Sequence, residues 1–552
     1  MFTSIRCAGA TAAAAIGLSL LPGPAAADKP DPPPADATVA FDQGHQGGDV
    51  PDHFVGFSIE WTLIERYMGP NAREGFANLL SNLGTGVLRI GGGSQDNMPF
   101  NADVANANSV ITPEDVASVR ATLDLANANS GDKPAWATIL GAGMAKQPQR
   151  QFATPDNAKR FTEQGVEPAF GDAAGRHTLA GIELGNEPDL NYPTTPVNTY
   201  PTDYLAAFDA YSRPEIIKDF PVLGPNTSEQ IAPWQDMKAG TPLLGIRFFH
   251  QWPAILDFEA PIMKASAGTL GVTANDHYYP LARTCPTDPF RCPTIERLLA
   301  DDRMSNFEYE VYTHAAEAAR HDLGYRVEET STAAGRGANG VSNVAAAATW
   351  TLETLFRAAC PDPPDAPGTN EDCRVQASGL NLHNAEVRAF FFPEEGNAYY
   401  NAVNYDPTPA MGTPSAAVPY YGLLMFSELA QGMGDLHRVP LTTAGPNPLP
   451  VKAWQVRGKG AETRLFLINK GEAPVTVDVE APGARVALDR MTPFDPTGAG
   501  RTLSAPEVRI DGRAVGADGR WPGLDPESVK HDGHTVPVTI GGGETVVVTN
   551  HG

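Results

Sequence analysis

The stretch that decides the fold is Gly181-Ile182-Glu183-Leu184-Gly185-Asn186-Glu187-Pro188-Asp189. Ile182 and Leu184 predict a short buried strand, and Gly185 ends it. Asn186 and Glu187 therefore fall where the strand turns into a loop. In a parallel barrel, the loops that follow the strands carry the chemistry.

A second stretch, Gly324 to Ser331, has the same design and leads into the glycine-rich loop Gly335 to Gly340. Cleavage of a glycosidic bond needs one carboxylic acid and one carboxylate, and Glu187 and Glu329 are the candidates. The alternative interpretation is that either glutamate is an ordinary loop acid exposed to solvent, as most isolated loop glutamates are. The preceding acids, Glu183 and Glu328, are predicted from strand alternation to point elsewhere and to be structural.

Eight short strands with helical stretches between most of them predict the α/β class and a (β/α)8 TIM barrel. Thr112-Pro113-Glu114-Asp115 predicts a helix start. The helical signal is weakest over Gln147 to Asp172, which is interpreted as a long substrate loop. The strands are predicted at residues 53–61, 87–90, 135–140, 181–184, 221–224, 271–274, 326–327 and 379–382.

Beyond Ala389 the pattern changes to alternating or apolar runs between Gly and Pro turns, which predicts a C-terminal antiparallel β-sandwich domain. This domain either packs on the barrel as a structural element or binds carbohydrate, and the first role is favoured. The predicted divisions are a signal peptide (1–27), a linker with a possible strand of the β-domain (28–47), the catalytic barrel (48–389) and the β-sandwich (390–552).

The N-terminus has the features of a secretory signal: Arg6, the mostly apolar run Ala12 to Leu21, and three alanines before Asp28. A secreted or periplasmic protein without membrane anchoring is therefore expected, because no later run is long and apolar enough to span a bilayer. The four remaining cysteines fall into two near pairs, which predicts disulfides Cys285–Cys292 and Cys360–Cys373 as the favoured one of three pairings.

The formal net charge of -25 argues against nucleic acid and against a highly sulfated polymer as partner. The cysteines and histidines lack the usual metal-ligand spacings, so neither a metal nor another cofactor is predicted. The loop Gly91-Gly92-Gly93-Ser94 lacks a nucleotide-binding pattern and is expected to allow close backbone packing beneath a sugar.

Four motifs occur in order along the chain: Asn186-Glu187-Pro188, Asp276-His277-Tyr278-Tyr279, Glu329-Thr330-Ser331 with the helix Val341 to Trp350, and Pro419 to Leu424. Together they resemble glycoside hydrolase family 79, which contains β-glucuronidases and heparanase. The likeness runs from about Gly56 to the C-terminus, and it implies that Glu187 is the acid/base and Glu329 the nucleophile. If their carboxylates are about 5 Å apart, the reaction retains anomeric configuration.

Other polar residues near the strand ends are candidates for binding and positioning. Asn186 is expected to hydrogen-bond the sugar 2-hydroxyl, and Tyr278 to hydrogen-bond Glu329. Glu60 and Asp96 are expected to accept sugar hydroxyls or to form a salt bridge with Arg89. Arg89 itself is interpreted as bracing an active-site carboxylate. His277 is expected to be a packing residue.

The loop after Glu329 departs from the family, which offers a Tyr and glycine N–H groups to the uronate carboxylate. Here Ala334 replaces the Tyr, Gly335 is kept, and Arg336 replaces the second Gly. Arg336 either clamps the carboxylate or points to solvent. Tyr400, after the eighth strand, is a candidate for the pocket lining together with Tyr399.

The sequence therefore predicts a secreted exo-acting β-glucuronidase that releases glucuronic acid, or its 4-O-methyl form, from a glycan or glucuronide. An endo-β-glucuronidase of the heparanase or hyaluronidase type and a non-catalytic glycan-binding protein are the alternatives. A serine hydrolase is not supported, because no Gly-x-Ser-x-Gly elbow follows a strand. The protein is expected to be a monomer or a small homo-oligomer.

Overall fold

A barrel of eight parallel strands forms the first large part of the structure, which is a computed structural model. Each strand pairs with the next, and β8 pairs with β1. The first piece of β5 pairs with β4 and the second with β6, which closes the barrel. The (β/α)8 prediction is confirmed. In chain order, β1 to β8 are Val55–Glu60, Gly86–Gly91, Trp136–Ala142, Leu179–Leu184, Val222–Leu223 with Asn226–Thr227, Thr273–Tyr278, Gly324–Thr330 and Gly379–Asn384.

The structure describes residues 35–551 with gaps. The longest gap spans residues 188–272, of which only 210, 222–223 and 226–227 are described. The predicted signal segment and the first part of the predicted linker lie outside the described residues. The other gaps are 43, 45, 105–108, 129–134, 145–151, 286–288, 321, 364–365, 367, 371, 387–397, 406–411, 459, 461 and 532–533.

Helices cover the outside of the barrel. The predicted helix start at Thr112 is confirmed, because its side chain accepts from the Asp115 N–H and Asp115 accepts in return, with Pro113 at the first position. The described α-helices are Ile64–Met68, Arg73–Asn82, Pro113–Ala126, Pro155–Phe161, Glu167–Phe170, Ala173–Thr178, Ile295–Leu298, Asp301–Ala319, Ala345–Ala359 and Val418–Leu429. Short 3-10 helices occupy Trp61–Leu63, Gly92–Ser94 and Pro289–Arg291.

The prediction of a long loop over Gln147 to Asp172 was wrong for the part that the structure describes. Thr154 caps a helix whose path continues through a π-helical turn, Thr162–Val166. The buried side chains of Phe161 and Phe170 hold this segment on the core. The π-turn and Gly171 interrupt the 3.6-residue period, which hid the helix from a periodicity search.

The last described helix, Val418–Leu429, belongs to the barrel. Phe426 packs on Phe54 of the barrel and on Phe356 of the helix after β7, with ring centroids 5.5 and 5.1 Å apart. The Tyr420 hydroxyl donates to the Leu79 carbonyl at 2.7 Å, in the helix after β1. The barrel therefore continues beyond the predicted boundary at residue 389.

Two sheets form the C-terminal sandwich, and a second hydrophobic core lies between them. Strand Ala37–Ala40 lies inside the smaller sheet, parallel to Val475–Glu480 and antiparallel to Thr442–Thr443. The other strands of the two sheets are antiparallel. They are Thr535–Ile540 in the smaller sheet, and Gly434–Arg438, Val451–Arg457, Thr463–Asn469, Thr545–Asn550, Arg485–Phe494, Glu507–Ile510 and Glu527–Lys530 in the larger one. Two-residue strands pair Leu281–Ala282 with Ala333–Ala334 and Val403–Asn404 with Ser415–Ala416.

A buried ionic network joins the sandwich to the barrel helices. Arg357 bonds Glu308 at 2.6 Å and Glu353 at 2.7 Å, which links the helices after β6 and β7. Lys470 of the sandwich reaches Glu353 at 3.1 Å and Asp301 at 2.6 Å. Since removing one partner of a buried ion pair leaves an uncompensated charge, this network resists separation of the two parts.

Both predicted disulfides, Cys285–Cys292 and Cys360–Cys373, are present. Disulfides persist in oxidising compartments, so they fit a secreted or otherwise extracytoplasmic protein. None of the helices in the described part of the chain combines the length and the apolar character that a membrane crossing needs.

We expect a carboxyl pair in the sandwich to make stability fall with rising pH. Burial and the neighbouring Asp511 raise the pKa of Asp489 to about 7, against an ordinary value of 3.8. The folded state therefore binds a proton that the unfolded chain releases between about pH 4 and pH 7, and stability is lost across that window. Between pH 5 and 8 this contributes a loss of about 2–3 kcal/mol, which Asp489→Asn should remove.

Urea unfolding of wild type and variant at pH 5 and pH 8 checks this expectation. Asp518→Asn, at an exposed position of the same domain, is the control and should keep the wild-type pH dependence. An unchanged pH dependence in Asp489→Asn would contradict the assignment.

Candidate active site

The turn after β4 holds Glu187 in an unusual backbone conformation. Gly185 and Glu187 have φ angles of 77° and 44°, both in the left-handed region. For a residue with a side chain this costs roughly 1–2 kcal/mol, and such strain gathers at functional sites. The Asp96 carboxylate fixes the turn, because it accepts the N–H groups of Asn186 at 3.1 Å and Met144 at 2.9 Å.

Glu329 faces Glu187 across the carboxyl-terminal end of the barrel. One carboxylate oxygen of each residue and a nitrogen of His277 all lie within 4.8 Å of one another. The side chain of Glu329 is 10 % exposed and that of Glu187 is 25 % exposed. Two acids that are distant in the sequence therefore meet at one partly open place.

Arg89 of β2 connects the polar groups at the base of the site. Its guanidinium donates twice to Glu183, at 2.6 and 2.8 Å, and once to Glu329, at 2.8 Å. It also donates to Asn186 Oδ1 at 2.8 Å and to Ser58 Oγ at 3.0 Å. Burial alone would lower the pKa of Arg89, but Glu183 and Glu329 together raise it. The predicted carboxylate partner of Arg89 is confirmed.

Glu183 and Glu328 do not point away from the site, as strand alternation predicted. Both are fully buried inside the barrel, where the charge of Glu183 acts on the carboxyl group of Glu328. For Glu328 the cause is a register shift in β7 between Val327 and Glu329, because a bulge lets two consecutive side chains face the same side. Burial and the charge of Glu183 raise the pKa of Glu328 well above its usual value, which favours the neutral acid.

The tyrosine that bonds Glu329 is Tyr279, and the prediction of Tyr278 was wrong. The Tyr279 hydroxyl donates to Glu329 Oε1 at 2.7 Å. The Tyr278 hydroxyl donates to the Arg303 carbonyl at 3.3 Å, and its ring packs on Phe307. Side chains alternate along the end of β6, so Tyr278 faces the outer helices and Tyr279 faces the interior.

Two histidines flank Glu329. His277 Nδ1 lies 2.9 Å from Glu187 Oε1, and its Nε2 lies 3.8 Å from Glu329 Oε2. His277 was predicted to be a packing residue, but it contacts both candidate acids. His383, at the end of β8, lies 3.5 Å from Glu329 Oε2 and 3.1 Å from Ser58 Oγ. Sequence reasoning missed His383, although its place at a strand end was a usable signal.

These neighbours keep Glu329 ionised. Burial alone would raise the pKa of Glu329, but His277, His383 and Arg89, with the hydrogen bond from Tyr279, hold it well below its usual range. Burial and the adjacent charge of Glu329 raise the pKa of Tyr279 well above its ordinary value, so the phenol stays a hydrogen-bond donor. An ionised, oriented carboxylate is the state that a nucleophile needs.

Glu60 and Asp96 have protein partners other than the predicted Arg89. Glu60 accepts the backbone N–H groups of Gly93 at 3.2 Å and Ser94 at 2.7 Å, and Gly92 packs directly against its carboxylate. The glycine-rich loop therefore packs closely around Glu60, and its predicted position beneath a sugar stays a prediction. Asp96 holds the turn that carries Glu187, and it is buried, so it is a positioning residue in this structure.

The loop after β7 carries the predicted carboxylate-binding residues. Gly335 and Arg336 have φ angles of 76° and 72°, and Arg336 is buried rather than solvated. Arg283 holds the loop by donating to the Gly335 carbonyl at 3.2 Å. Tyr400 stacks on Tyr279 at 6.0 Å, and the positive charge of Arg336 acts on its hydroxyl.

Within the part of the chain that the structure describes, two groups have the proximity that a metal site needs, Glu187–His277–Glu329 and Asp276–Glu310–His314. In the first, Arg89 and Tyr279 already donate to both oxygens of Glu329. In the second, His314 Nδ1 pairs with Asp276 Oδ2 at 2.8 Å. Protein groups thus already bind Glu329 and Asp276 in the two groups.

Neither the protein-family models nor the curated proteins give a match to this sequence. Solved structures do match in fold. A 4-O-α-L-rhamnosyl-β-D-glucuronidase from Fusarium oxysporum 12S has a TM-score of 0.61 at 16 % identity, over 93 % of this chain and 99 % of that one. A family 51 arabinofuranosidase from Xanthomonas axonopodis pv. citri has 0.56 at 14 %, over 93 % and 99 %. A family 44 xyloglucanase from Paenibacillus polymyxa has 0.52 at 10 %, over 93 % and 99 %. The fold is one that glycoside hydrolases use.

Proposed function

We propose that this protein is a retaining glycoside hydrolase with Glu329 as nucleophile and Glu187 as acid/base. The observation that carries the proposal is the approach of the two carboxylates to within 4.8 Å. Retaining enzymes separate these groups by about 5–5.5 Å, whereas inverting enzymes leave about 6.5–9.5 Å for a water molecule. The asymmetry of their surroundings sets the roles, because Glu329 is kept ionised and Glu187 is more exposed.

In the first step Glu329 attacks the anomeric carbon while Glu187 gives a proton to the leaving oxygen. The resulting ester is attacked by water, whose proton returns to Glu187. In this proposal Asn186, which Arg89 holds, hydrogen-bonds the sugar 2-hydroxyl, a contact that strengthens in the transition state.

The proposed substrate is a β-glucuronide, with glucuronic acid or its 4-O-methyl form released from a chain end. The resemblance to family 79 supports it, and one protein of similar fold is named as a 4-O-rhamnosyl-β-glucuronidase. The buried guanidinium of Arg336, close to Tyr400, offers the charge that a uronate carboxylate requires. A signal peptide over residues 1–27 and secretion belong to the same proposal and agree with the two disulfides.

Initial rates on chromogenic β-glucuronide, β-glucoside and β-xyloside test the activity and its specificity. We expect the glucuronide to be preferred, and ¹H NMR should show the β-anomer of the free sugar as the first product. Release of the α-anomer first would rule out the double displacement. Preference for the glucoside would agree with a glycosidase but would contradict the proposed specificity for a uronate.

Arg336→Gly tests the carboxylate contact. Glycine accepts the φ angle of 72° without strain, so the fold should be kept while the guanidinium is lost. We expect kcat/KM to fall about 100-fold on the glucuronide, since charged hydrogen bonds contribute about 1.5–3 kcal/mol. The rate on the glucoside should stay within about threefold. Equal losses on both substrates would contradict a role in carboxylate binding.

The adjacent tyrosines supply a matched pair of variants. Tyr279→Phe removes the hydrogen bond to Glu329, which should lower kcat about 10- to 100-fold and move the acidic limb of the pH profile to higher pH. Tyr278→Phe removes a hydroxyl that faces the outer helix, so it should cost about 1 kcal/mol of stability and leave the pH profile unchanged. Similar pH profiles in the two variants would show that the bond to Glu329 has no part in the reaction.

A further inference from the structure

We infer that His277 and Glu187 share the proton that is delivered to the leaving oxygen, and that His277 holds it in the free enzyme. In this role His277 does not contact the substrate. It acts through Glu187, to which it gives a proton and from which it takes the proton back. The inference rests on the proposed function. It adds a third group to a reaction that two carboxylates alone can describe.

The contacts of His277 support this assignment. The ring is 1 % exposed, so bulk water does not exchange its proton directly. Nδ1 is within hydrogen-bond distance of Glu187 Oε1, at 2.9 Å, and Nε2 points toward Glu329 at 3.8 Å, too far for a hydrogen bond. The imidazole therefore bonds the acid/base and is coupled to the nucleophile by charge alone.

The charges around the ring favour its protonated form before reaction. Among the described residues, Glu187, Glu329 and Glu183 act on it as anions and Arg89 as a cation. Burial alone would lower the pKa of His277, but Glu329 and Glu187 raise it above its ordinary value of 6.5. Glu329 is the largest of the favourable influences, and it is the group whose charge disappears in the reaction.

The proton balance follows from that loss of charge. When Glu329 forms the ester bond to the anomeric carbon, its negative charge is lost and the imidazolium is stabilised less. The Nδ1 proton passes to the carboxylate of Glu187 and from there to the glycosidic oxygen, whose bond to the anomeric carbon breaks. In the second step, water attacks the anomeric carbon and its proton returns through Glu187 to Nδ1 as Glu329 is released as a carboxylate.

The pH profile of His277→Gln tests the inference. Glutamine can still hydrogen-bond Glu187 but cannot carry the proton. The ordinary pKa values of imidazole and a glutamic acid differ by about two units, so the alkaline limb of kcat/KM should move at least about one pH unit to lower pH. Tyr279→Phe, which leaves the His277 contact in place, is the control and should keep the alkaline limb. An unchanged alkaline limb in His277→Gln would overturn the inference, as would a uniform loss of rate.

A measurement on the wild-type enzyme covers the case in which the variant fails to fold. A 2-deoxy-2-fluoro-β-glucuronosyl fluoride should trap the ester on Glu329 with loss of fluoride. With ¹⁵N-labelled histidine, the imidazole next to Glu187 should be protonated near pH 6 in the free enzyme and neutral in the trapped one. Its signal is identified by its change in Glu187→Gln, because His277 contacts Glu187.

If the imidazole of His277 has the same protonation state before and after trapping, the inference is overturned, but the proposed glycosidase activity is still supported by formation of the ester. Failure of the proposed function looks different. In that case the wild-type protein neither cleaves a chromogenic glycoside nor forms the ester, and the inference about His277 is contradicted together with the proposed function.

Discussion

Glu329→Gln is expected to lower kcat by at least about 10⁴-fold on every β-glycoside, because an amide cannot form the glycosyl ester. Glu187→Gln should behave differently. It should lose about 10²- to 10⁴-fold on substrates with poor leaving groups and much less on a dinitrophenyl glycoside, whose oxygen needs no proton. With that substrate the ester should accumulate and produce a burst, since deglycosylation still needs the base.

The neighbouring acid provides the control. Glu328 lies one residue before Glu329 and is fully buried, and burial with the charge of Glu183 raises its pKa well above the usual value. Because the raised pKa favours the neutral acid, Glu328→Gln substitutes a neutral amide of similar shape, and the rate should stay within about threefold. Full activity in Glu329→Gln, or an equal loss in all three variants, would end the assignment of roles.

Arg89→Met should lower the free energy of unfolding by about 3–5 kcal/mol, the usual cost of removing one partner from a buried ion pair. Glu183 loses its bidentate partner with both carboxylate oxygens buried, and Glu329 loses one of its cations. The pKa of Glu329 should rise in consequence, so the acidic limb of the pH profile should move to higher pH.

Urea unfolding and the pH profile measure the two effects. Arg520→Met is the control, because Arg520 is 64 % exposed and its partners Glu74 and Asp518 are also exposed. Exposed pairs contribute about 0–1 kcal/mol. A loss of less than about 1 kcal/mol in Arg89→Met would contradict a shared cation at the base of the site.

The parts of the fold that follow from local pattern could be predicted. Gly185 ends the strand before Glu187, and a glycine-rich loop follows the strand that carries Glu329. The barrel topology then brings the ends of the two strands together. The partnership of Arg89 with a carboxylate followed from the cost of a buried charge. None of these conclusions needed knowledge of the exact register.

The errors arose where register decides which way a side chain points. The bulge in β7 depends on pairing with β6 and β8, so nothing within Gly324 to Ser331 signals that Glu328 faces inward. Tyr278 and Tyr279 are chemically identical neighbours, and only their position along β6 selects the one that meets Glu329. The contact between His383 and Glu329 depends on β8 lying beside β7 and β1. Such information is tertiary and is absent from any short window.

The place of Ala37–Ala40 between Thr442–Thr443 and Val475–Glu480 has a consequence for biogenesis. This strand precedes the whole barrel in the chain, so during synthesis it must wait for strands that follow the barrel before its partners exist. Until then it is an unpaired β-edge that invites association with other chains. A fragment that lacks Ala37–Ala40 would expose the opposite half of the same edge, so correct assembly depends on keeping this strand attached to the rest of the chain.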